Sequence, residues 1–312
     1  MSWRIRLLSA LRSGVGQSRN KPTHHQHLPI SVIVPTYNEE RNLGACLESI
    51  RDWAGEIFVV DSGSTDHTLD IAKSYGAHIV EHPFETHARQ WHWALEKLPL
   101  QYDWVLGLDA DQRVTPKLAA ELQHLFTVET SKLTLVDGFY INRRQVFRGK
   151  WIRHGGYYPK YLLKLFRRGR TTIDPDDLVD HHFYVDGCVA KLRHDLIEDN
   201  SREDDISFWI DKHTRYAALL AREELGCREN GRRRQIHAAL MGNPDQRALW
   251  RKQLWCRFPL FVRPFLYFVY RYVLRLGFLD GKEGFIFHFL QAFWFRLLVD
   301  IKLDELRHAK KD

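Results

Sequence analysis

Cysteine is scarce in this chain, and its cysteines do not occur in paired motifs. The 312 residues contain four of them: Cys46, Cys188, Cys227 and Cys256. The lack of a C-x-x-C pair excludes a zinc knuckle, and such wide spacing is not that of a disulfide framework. This pattern is typical of a protein that works in the reducing cytosol.

A secretory signal is also missing from the N-terminal region. The apolar stretch at residues 7–11 is short and interrupted, and no small-residue cleavage pattern follows it. We therefore expect residues 1–28 to form a basic tail and the chemistry to take place on the cytosolic side.

Uninterrupted apolar runs of membrane-spanning length are absent as well. A transmembrane helix needs about 20 consecutive apolar residues, and the aromatic segments after Trp250 are broken by arginines at positions 257, 263, 271, 275 and 296. From residue 250 onward, 12 basic residues stand against 6 acidic ones. This composition predicts amphipathic helices that lie on an anionic membrane surface, with packing against the rest of the chain as the alternative.

Acidic residues are too few to balance the basic ones over the whole chain. The net charge is +7 and the pI is about 9.2, which indicates an anionic partner. We expect no nucleic acid, because no RNP, helix-turn-helix or zinc-finger signature is present. The alternative is a nonenzymatic membrane- or nucleic-acid-binding protein, prompted by Arg232, Arg233 and Arg234.

Strands alternate with helices from Ile30 onward. The apolar run 30–34 predicts a buried strand, and further strands are predicted at 56–60, 78–80 and 104–108. Asn38 is the predicted N-cap of the helix after the first strand. This order predicts an α/β fold with a mainly parallel central sheet and ligands at the carboxyl ends of its strands.

The composition along the chain predicts its domain organisation. After the tail we expect a catalytic domain at 29–225, a polar linker at 226–250 that is rich in breakers, and aromatic and basic helices at 251–312. The last region would attach the protein to a membrane surface as a peripheral protein.

Two of the predicted strands end on aspartates. Asp61 opens the segment D-S-G-S-T-D, and Asp109-Ala110-Asp111 follows the strand 104–108. Hard divalent cations prefer carboxylate oxygens, so two aspartates one residue apart can supply a metal ligand and a nucleotide contact. A D-x-D pattern alone is a weak signal, because such turns are common on protein surfaces.

The context of these aspartates carries a resemblance to a known family. The segments V-I-V-P-T-Y-N-E-E at 32–40, V-V-D-S-G-S-T-D at 59–66 and L-G-L-D-A-D at 106–111 follow one another at successive strand ends. Together they resemble the family 2 glycosyltransferases with the GT-A fold, over residues 29–225. The resemblance implies inverting transfer from a nucleotide-sugar, expected to be a UDP-sugar, with Mn²⁺ or Mg²⁺ as cofactor.

The same resemblance implies roles for individual residues. Asp61 corresponds to the acid that reads the uracil imide, Asp109 to a contact of ribose or metal, and Asp111 to a metal ligand. Further nucleotide-sugar contacts are implied at Pro35, Thr36, Glu39, Gly63 and Arg89. Arg89 has a solvated helix charge as its equal alternative, because Trp91 and His92 depart from the family pattern here.

The catalytic base is expected near residue 180. Relatives often have an acid after a valine, as in Val-His-Glu, whereas this chain reads Leu-Val-Asp-His-His at 178–182. A base must deprotonate the acceptor hydroxyl, and the resemblance makes Asp180 the first candidate and His181 the second.

The acceptor side is suggested by two further segments. Residues 147–158 and 276–282 are similar to segments of the lipopolysaccharide-core and cell-envelope subgroup. Trp151 and His154 are the acceptor-side candidates, and the expected acceptor is a lipid-linked saccharide. A polyprenyl-phosphate sugar transferase is the nearest alternative. A haloacid-dehalogenase phosphotransferase fails, because Arg113 stands where it needs Thr or Val and the D-x-D is not on the first strand.

Overall fold

A computed structural model describes residues 27–174, 182–230 and 238–309, with the side chains of 227–230 left aside. The predicted catalytic residues Asp180 and His181 therefore lie outside the described residues, as does most of the predicted tail.

Eleven strands form in the described ranges. They are β1 (Leu28–Thr36), β2 (Ala54–Asp61), β3 (His78–Glu81), β4 (Trp104–Gly107), β5 (Gln112–Val114), β6 (Gly138–Phe147), β7 (Lys150–Ile152), β8 (Tyr161–Arg167), β9 (Thr171–Ile173), β10 (Phe183–Val185) and β11 (Val189–Glu198).

Ten α-helices accompany the strands in those ranges. They are α1 (Leu43–Glu48), α2 (Thr68–Ser74), α3 (His87–Lys97), α4 (Pro116–Thr127), α5 (Thr130–Leu133), α6 (Ile206–Asn230), α7 (Pro244–Arg257), α8 (Arg263–Val269), α9 (Gly281–His288) and α10 (Phe295–His308). Shorter helical turns are 3-10 at Arg168–Arg170 and Gly277–Asp280, and π at Tyr270–Leu274 and Phe289–Trp294.

One large sheet organises the chain, in the order β3-β2-β1-β4-β8-β6-β11-β5, with β7 paired to β6. The pairs β1–β2, β1–β4, β2–β3 and β6–β11 are parallel, and β8 and β5 are antiparallel to their neighbours. Six strands of this path consequently point the same way. The predicted α/β fold with a mainly parallel sheet and a C-terminal helical appendage is confirmed.

The sheet is buried on both faces, which explains the continuous apolar run of β1. Val32 and Val34 pack in the cluster that includes Leu43 and Leu47 of α1, while Ile33 packs on the opposite face with Trp91 of α3. Successive side chains of a strand point to opposite faces, so a strand covered on both sides has no polar alternation.

A third cluster joins the sheet to the appendage. Trp209 of α6 packs with Phe295 of α10, Phe287 of α9, and Phe147 and Tyr157 from the β6–β8 region. Arg263 at the start of α8 is fully buried and forms a two-pronged ion pair with Glu224 of α6, at 2.9 and 3.0 Å, and a bond of 2.8 Å to Asp300 of α10. Breaking such a buried pair leaves an uncompensated charge, so these contacts lock the three helices together.

Two helices run across the domain boundaries expected from the sequence, and the division into domains stays a prediction. Helix α6 continues past Gly226 to Asn230, beyond the expected end of the catalytic domain at 225. Helix α7 begins at Pro244 inside the expected linker 226–250, because Asn243 and Gln246 form a reciprocal capping box and proline is well accommodated in a first turn. Asn243 and Pro244, which the sequence analysis took as part of a linker, are the N-cap and the first residue of a helix.

The appendage exposes a large apolar surface, which we call the apolar edge. It consists of the exposed side chains of Leu254, Phe258, Phe261, Val262, Phe265, Leu266, Tyr270, Val273, Leu274, Leu276, Phe278, Leu279, Phe285 and Phe289. The rest of the described chain exposes seven large apolar side chains. Such a concentration marks an interaction surface.

One described helix, Gly277–His308, is long and apolar enough to cross a membrane by length and composition. Its most apolar 18-residue window has a mean hydropathy of 1.4, and 39% of that window is buried against the rest of the chain. The sequence analysis expected no segment of membrane-spanning length, and this helix corrects that expectation. The charged residues break the apolar run in the sequence, but the helix continues through them. Core helices of globular proteins meet the same criterion.

Candidate functional site

The site forms where neighbouring parallel strands end. Thr36 at the end of β1 lies opposite Asp61 at the end of β2, and β4 pairs with the other side of β1 and leads into Asp109. Carboxyl ends of parallel strands share one edge of the sheet. The topology thus brings together side chains that are far apart in sequence.

Asp61 is fully buried and surrounded by donors from its own loops. Its Oδ1 accepts from Thr36 Oγ1 at 2.8 Å and from Ser64 Oγ at 2.5 Å. Its Oδ2 accepts from the backbone N–H groups of Gly63 and Ser64 at 2.9 and 2.7 Å. A carboxylate offers about four acceptor positions, and these four bonds occupy them. The bonds hold the loop after β2 in place. Recognition of uracil by Asp61 stays a prediction.

Gly63 and Asn38 shape the two loops at this edge. Gly63 has a φ of 87°, which favours glycine, and apart from its chain neighbours no atom lies within 4 Å of the position of an added Cβ. Asn38 is not a helix N-cap, since α1 begins at Leu43. Its Oδ1 instead accepts from Thr65 N at 2.8 Å and joins the loops after β1 and β2.

The D-A-D turn is held by a buried glutamine. Gln112 accepts from the backbone N–H of Asp109 at 3.2 Å and donates to Glu198 at 2.8 Å. The Asp109 carboxylate is paired with Lys164 of β8, whose Nζ lies 2.9 Å from Oδ2. Asp109 thus has a fixed orientation at the strand end.

The Asp111 carboxyl has a raised pKa. Burial, together with the nearby carboxylates of Glu198 and Asp109, raises its pKa well above the usual range for aspartate. Asn200 donates to its Oδ2 at 3.1 Å. Burial also raises the pKa of Glu39, which accepts a bond of 2.7 Å from Asn42. A nearby cation would stabilise the ionised form of both acids.

Several site residues were missed by sequence reasoning. Glu198 ends β11, points to the same edge and is bonded by Arg143 at 2.7 Å; Lys164 lies in the interior of β8. Glu198 and Asp199 follow the apolar pair Leu196-Ile197 at the end of β11, which is a short signal of the same kind as the one at Asp61. Lys164 carried no such signal, because only the β4–β8 pairing brings it to Asp109.

The carboxylates of Asp109 and Asp111 fit a divalent cation of the Mg²⁺ or Mn²⁺ type. Among the described residues no group of three or more metal-binding side chains converges. Mg²⁺ sites that act on nucleotides generally use one or two carboxylates and complete their coordination with phosphates and water. The two aspartates match that kind of site: burial, and after it the neighbouring carboxylates, raise the pKa of Asp111, and a bound cation would stabilise its ionised form.

Arg89 stands apart from the strand ends. On α3 it forms an ion pair with Glu85 at the exposed surface, so its implied nucleotide contact stays a prediction. The neighbouring Gln90 is buried and faces the site: its Nε2 lies 3.2 Å from the Ser62 hydroxyl, and its Oε1 lies 2.7 Å from the ring of His82.

The two acceptor-side candidates lie in the segment Trp151–Tyr158, which we call the acceptor loop. The guanidinium groups of Arg144 and Arg153 lie 4.8 and 5.4 Å from the centre of the Trp151 ring, and Tyr158 meets its edge. His154 is bonded to Asp280 of the appendage through its Nδ1 at 2.7 Å and its backbone N–H at 2.8 Å. The structure therefore places this loop against the appendage, and its sugar contacts remain predictions.

A cavity of about 370 Å³ lies beside this edge of the sheet, between the loops after β1 and β2 and the start of α6. Its lining includes Asn38, Arg41, Asp66, Arg202 and Phe208. The predicted donor and metal residues do not line it, so the cavity is distinct from the cluster at Asp109 and Asp111.

The chain is similar to known glycosyltransferases over most of its length. Residues 31–198, more than half of the chain, match the family model described as glycosyl transferase family 2. The lipopolysaccharide core biosynthesis glycosyltransferase LpsC of Rhizobium meliloti is 28% identical over 284 residues, which cover 85% of this chain and 91% of that protein. The uncharacterized glycosyltransferase RP128 of Rickettsia prowazekii is 35% identical over 98 residues, 31% of this chain and 33% of that protein.

Solved structures also resemble the chain. Residues 1–349 of Staphylococcus aureus TarS align over 90% of this chain and 91% of that one, with 16% identity and a TM-score of 0.41. The glucosyl-3-phosphoglycerate synthase of Mycobacterium tuberculosis, solved with Mn²⁺, uridine diphosphate and glucosyl-3-phosphoglycerate, aligns over 39% of this chain and 45% of that one, with 25% identity and a TM-score of 0.29.

Proposed function

Because this chain belongs to glycosyl transferase family 2, we propose that it moves a sugar from a nucleotide-sugar, with a UDP-sugar as donor, to a membrane-associated glycolipid or polysaccharide precursor. The chain is a glycosyltransferase. The proposal adds the donor, the divalent metal and the acceptor, and places the enzyme in cell-envelope biosynthesis of the lipopolysaccharide-core type, in line with the name of its relative LpsC.

One observation carries the donor half of the proposal. Asp109 and Asp111 crowd the strand ends with Glu198, and the pKa of Asp111 is raised by burial and by these neighbours. Crowded, partly buried carboxylates favour the binding of a divalent cation. A nucleoside diphosphate would supply further oxygen ligands for such a cation.

We assign the following roles to residues of the chain. Asp111 and Asp109 would hold the metal, which would supply positive charge to neutralise the leaving diphosphate. Lys164 keeps the Asp109 carboxylate oriented through its 2.9 Å ion pair. Asp180, or His181 in its place, accepts the proton of the acceptor hydroxyl, and that oxygen attacks the anomeric carbon with inversion.

The acceptor half is supported by the appendage. The apolar edge and the basic composition after residue 250 suit a peripheral protein on the cytoplasmic face of an anionic membrane. The acceptor loop is bonded to the same appendage through His154 and Asp280. A lipid-linked acceptor would be presented at the surface on which the helices lie.

Replacement of Asp111 by asparagine tests the proposal. Asp111→Asn removes one carboxylate charge and one metal ligand at nearly constant shape, so transfer from a UDP-sugar in the presence of Mn²⁺ should fall at least about a hundredfold. Product formation with a membrane extract as acceptor source and UDP release both measure this loss. Circular dichroism should be unchanged.

The matched control is Asp204→Asn, the same chemical change at an exposed acid near the start of α6. It should retain the turnover of the unmodified chain. If Asp111→Asn turns over donor as fast as this control, the proposed metal-dependent reaction is wrong.

A further inference from the structure

The Asp111 carboxylate is held by a side chain that follows β11. Asn200 donates from its Nδ2 to Asp111 Oδ2 at 3.1 Å, and Asp199 donates its N–H to the Asp111 carbonyl at 3.0 Å. Within the described ranges no other side chain donates to this carboxylate, and its Oδ1 accepts no hydrogen bond. Asn200 therefore fixes one oxygen of Asp111 and leaves the other for a ligand.

A second asparagine, Asn42, bonds to Asn200 from the loop after β1. Asn42 is 1% exposed, and its Nδ2 donates to Asn200 Oδ1 at 3.2 Å and to Glu39 Oε2 at 2.7 Å. We call Asn42 and Asn200 the amide pair. Through this pair the predicted metal ligand Asp111 is connected to Glu39, a predicted nucleotide-sugar contact, although the two acids belong to different loops.

Backbone donors fix which way each amide of the pair is turned. The N–H of Ser201 donates to Asn42 Oδ1 at 3.0 Å, and the N–H of Arg202 donates to Asn200 Oδ1 at 3.1 Å. A backbone N–H can only donate, so it must face an amide oxygen. If either amide were reversed, its nitrogen would face this N–H and its oxygen would face a carboxylate. Each amide nitrogen is consequently directed at an acid.

This arrangement suits the support of a metal ligand. Residues that hydrogen-bond a metal ligand from behind keep it oriented, and their loss typically weakens metal binding about 10–100-fold. The amide pair is uncharged, so it holds the Asp111 carboxylate without adding a positive charge that would repel a cation. The bond to Oδ2 and the unbonded Oδ1 together give the carboxylate a fixed orientation and an available oxygen.

We infer that Asn200, oriented by Asn42, is a positioning residue that holds the Asp111 carboxylate in place for a divalent cation. This inference rests on the proposed function and deepens it, because it names residues that support the metal site. The amide pair also links Asp111 to Glu39, so the position of the metal ligand and that of the nucleotide-sugar contact depend on each other.

Binding of Mn²⁺ to the full chain tests this role. Electron paramagnetic resonance measures the bound Mn²⁺ in the presence of UDP, after subtraction of the ion held by UDP alone. Asn200→Ala removes the donor to Asp111 without changing the net charge, so the affinity for Mn²⁺ should fall about tenfold. In assays of UDP-sugar turnover, the Mn²⁺ concentration for half-maximal rate should rise by the same factor, while the rate at saturating Mn²⁺ stays within about twofold.

Two matched variants separate positioning from folding. Asn200→Ser keeps a hydroxyl that can accept from the Arg202 N–H, as serine does in turns of this kind, but it is too short to reach Asp111. It should weaken Mn²⁺ binding as much as Asn200→Ala does. Asn243→Ala removes the capping side chain of α7 and should lower the midpoint of urea unfolding without changing the Mn²⁺ affinity. Unchanged Mn²⁺ affinity in Asn200→Ser, or an equal loss in Asn243→Ala, would overturn the inference.

A double-mutant cycle tests the contribution of Asn42. Asn42→Ala should also weaken Mn²⁺ binding, because Asn200 then loses the donor that orients its amide. Since Asn42 acts through Asn200, the two losses should not multiply in the double variant. Losses that do multiply would contradict the role given to Asn42.

Asp111→Asn separates the inference from the proposed function. It should bind Mn²⁺ more weakly than Asn200→Ala, because the charged ligand itself is lost. If Asp111→Asn loses Mn²⁺ binding while both Asn200 variants retain it, the proposed metal site stands and the positioning role is wrong. If Asp111→Asn binds Mn²⁺ like the unmodified chain, the proposed metal site fails, and the positioning role fails with it.

Discussion

At Asp61 a single carboxylate holds two loops at the edge of the sheet. Thr36 belongs to the end of β1, while Gly63 and Ser64 belong to the loop after β2, and all of them donate to this one side chain. Hydrogen bonds to a charged acceptor contribute about 1.5–3 kcal/mol each when they are buried. The carboxylate is therefore part of the folded framework at this edge of the sheet.

Removal of this carboxylate should cost stability. Asp61→Ala leaves two backbone N–H groups and two hydroxyls without their acceptor, so we expect the free energy of unfolding to fall by about 2–4 kcal/mol in a urea titration. Asp61→Asn should lose less, because its amide oxygen still accepts from the two N–H groups while the hydroxyls rotate. An Asp61→Ala variant of unchanged stability would contradict the framework role and favour a role in nucleotide contact alone.

Among the elements, helix α6 joins the sheet region to the appendage through the cluster around Trp209. Its Trp209 stacks on His213 with ring centres 3.5 Å apart, and Phe295 of α10 meets the His213 ring at its edge. His213 Nδ1 donates to the Trp209 carbonyl at 2.9 Å. Burial at this interface lowers the pKa of His213 from 6.5 to about 4.

This interface should weaken in acid. The unfolded chain binds a proton at His213 below about pH 6.5, whereas the folded chain resists it until about pH 4, so folding stability falls as the pH drops through this interval. The full effect is about 3 kcal/mol. Burial lowers the pKa of His288 to about 4 as well, and it should add a similar loss. Urea titrations between pH 7 and pH 4 measure the slope.

Substitution of one histidine separates the two contributions. His213→Phe keeps an aromatic ring between Trp209 and Phe295 but has no proton to bind, so the loss of stability between pH 7 and pH 4 should shrink by about half. His308→Phe, at an exposed position near the end of α10, should leave the slope unchanged. A slope that is the same in His213→Phe as in the unmodified chain would contradict this assignment.

For the molecule as a whole, the appendage cannot be treated as a detachable anchor. Phe147 and Tyr157 of the sheet region share a cluster with Phe287 and Phe295 of the appendage, and Arg263 is buried between α6 and α10. Truncation near residue 250 would expose this core, and loss of membrane binding in such a variant would not distinguish attachment from unfolding. Point substitutions on the apolar edge avoid that problem.

Serine substitutions on the apolar edge should release the protein from membranes without unfolding it. Phe265, Leu274 and Leu279 are 57%, 69% and 55% exposed, so their replacement removes little packing. Loss of their burial in lipid should lower partitioning to vesicles at least about a hundredfold. The control is Val128→Ser with Leu135→Ser, exposed apolar residues outside the edge. Retained vesicle binding by the triple variant would show that the edge does not face lipid.

Local sequence patterns predicted the three aspartates of the site but not the residues that contact them. Apolar runs in the sequence indicate the strands that lead to Asp61, Asp109 and Asp111. Parallel strands bring their carboxyl ends together. Lys164 reaches the same place from β8, and only the strand order shows that. Glu198 had a short signal in the sequence, but the pairing of β11 was needed to place it beside Asp111. Arg89 and Gln90 are adjacent on α3, and the rotation of that helix turns Gln90, not Arg89, towards Ser62.

By itself the sequence determined the α/β order, the acidic strand ends and the aromatic and basic character of the C-terminal region, because hydrophobic periodicity and turn chemistry act over a few residues. Tertiary structure alone decided that the Asp61 carboxylate is bonded by its own loops, that α6 runs past residue 225, and that Arg263 is buried in an ion pair between α6 and α10. These features depend on contacts between segments distant in the chain, whose geometry follows from packing and not from local pattern.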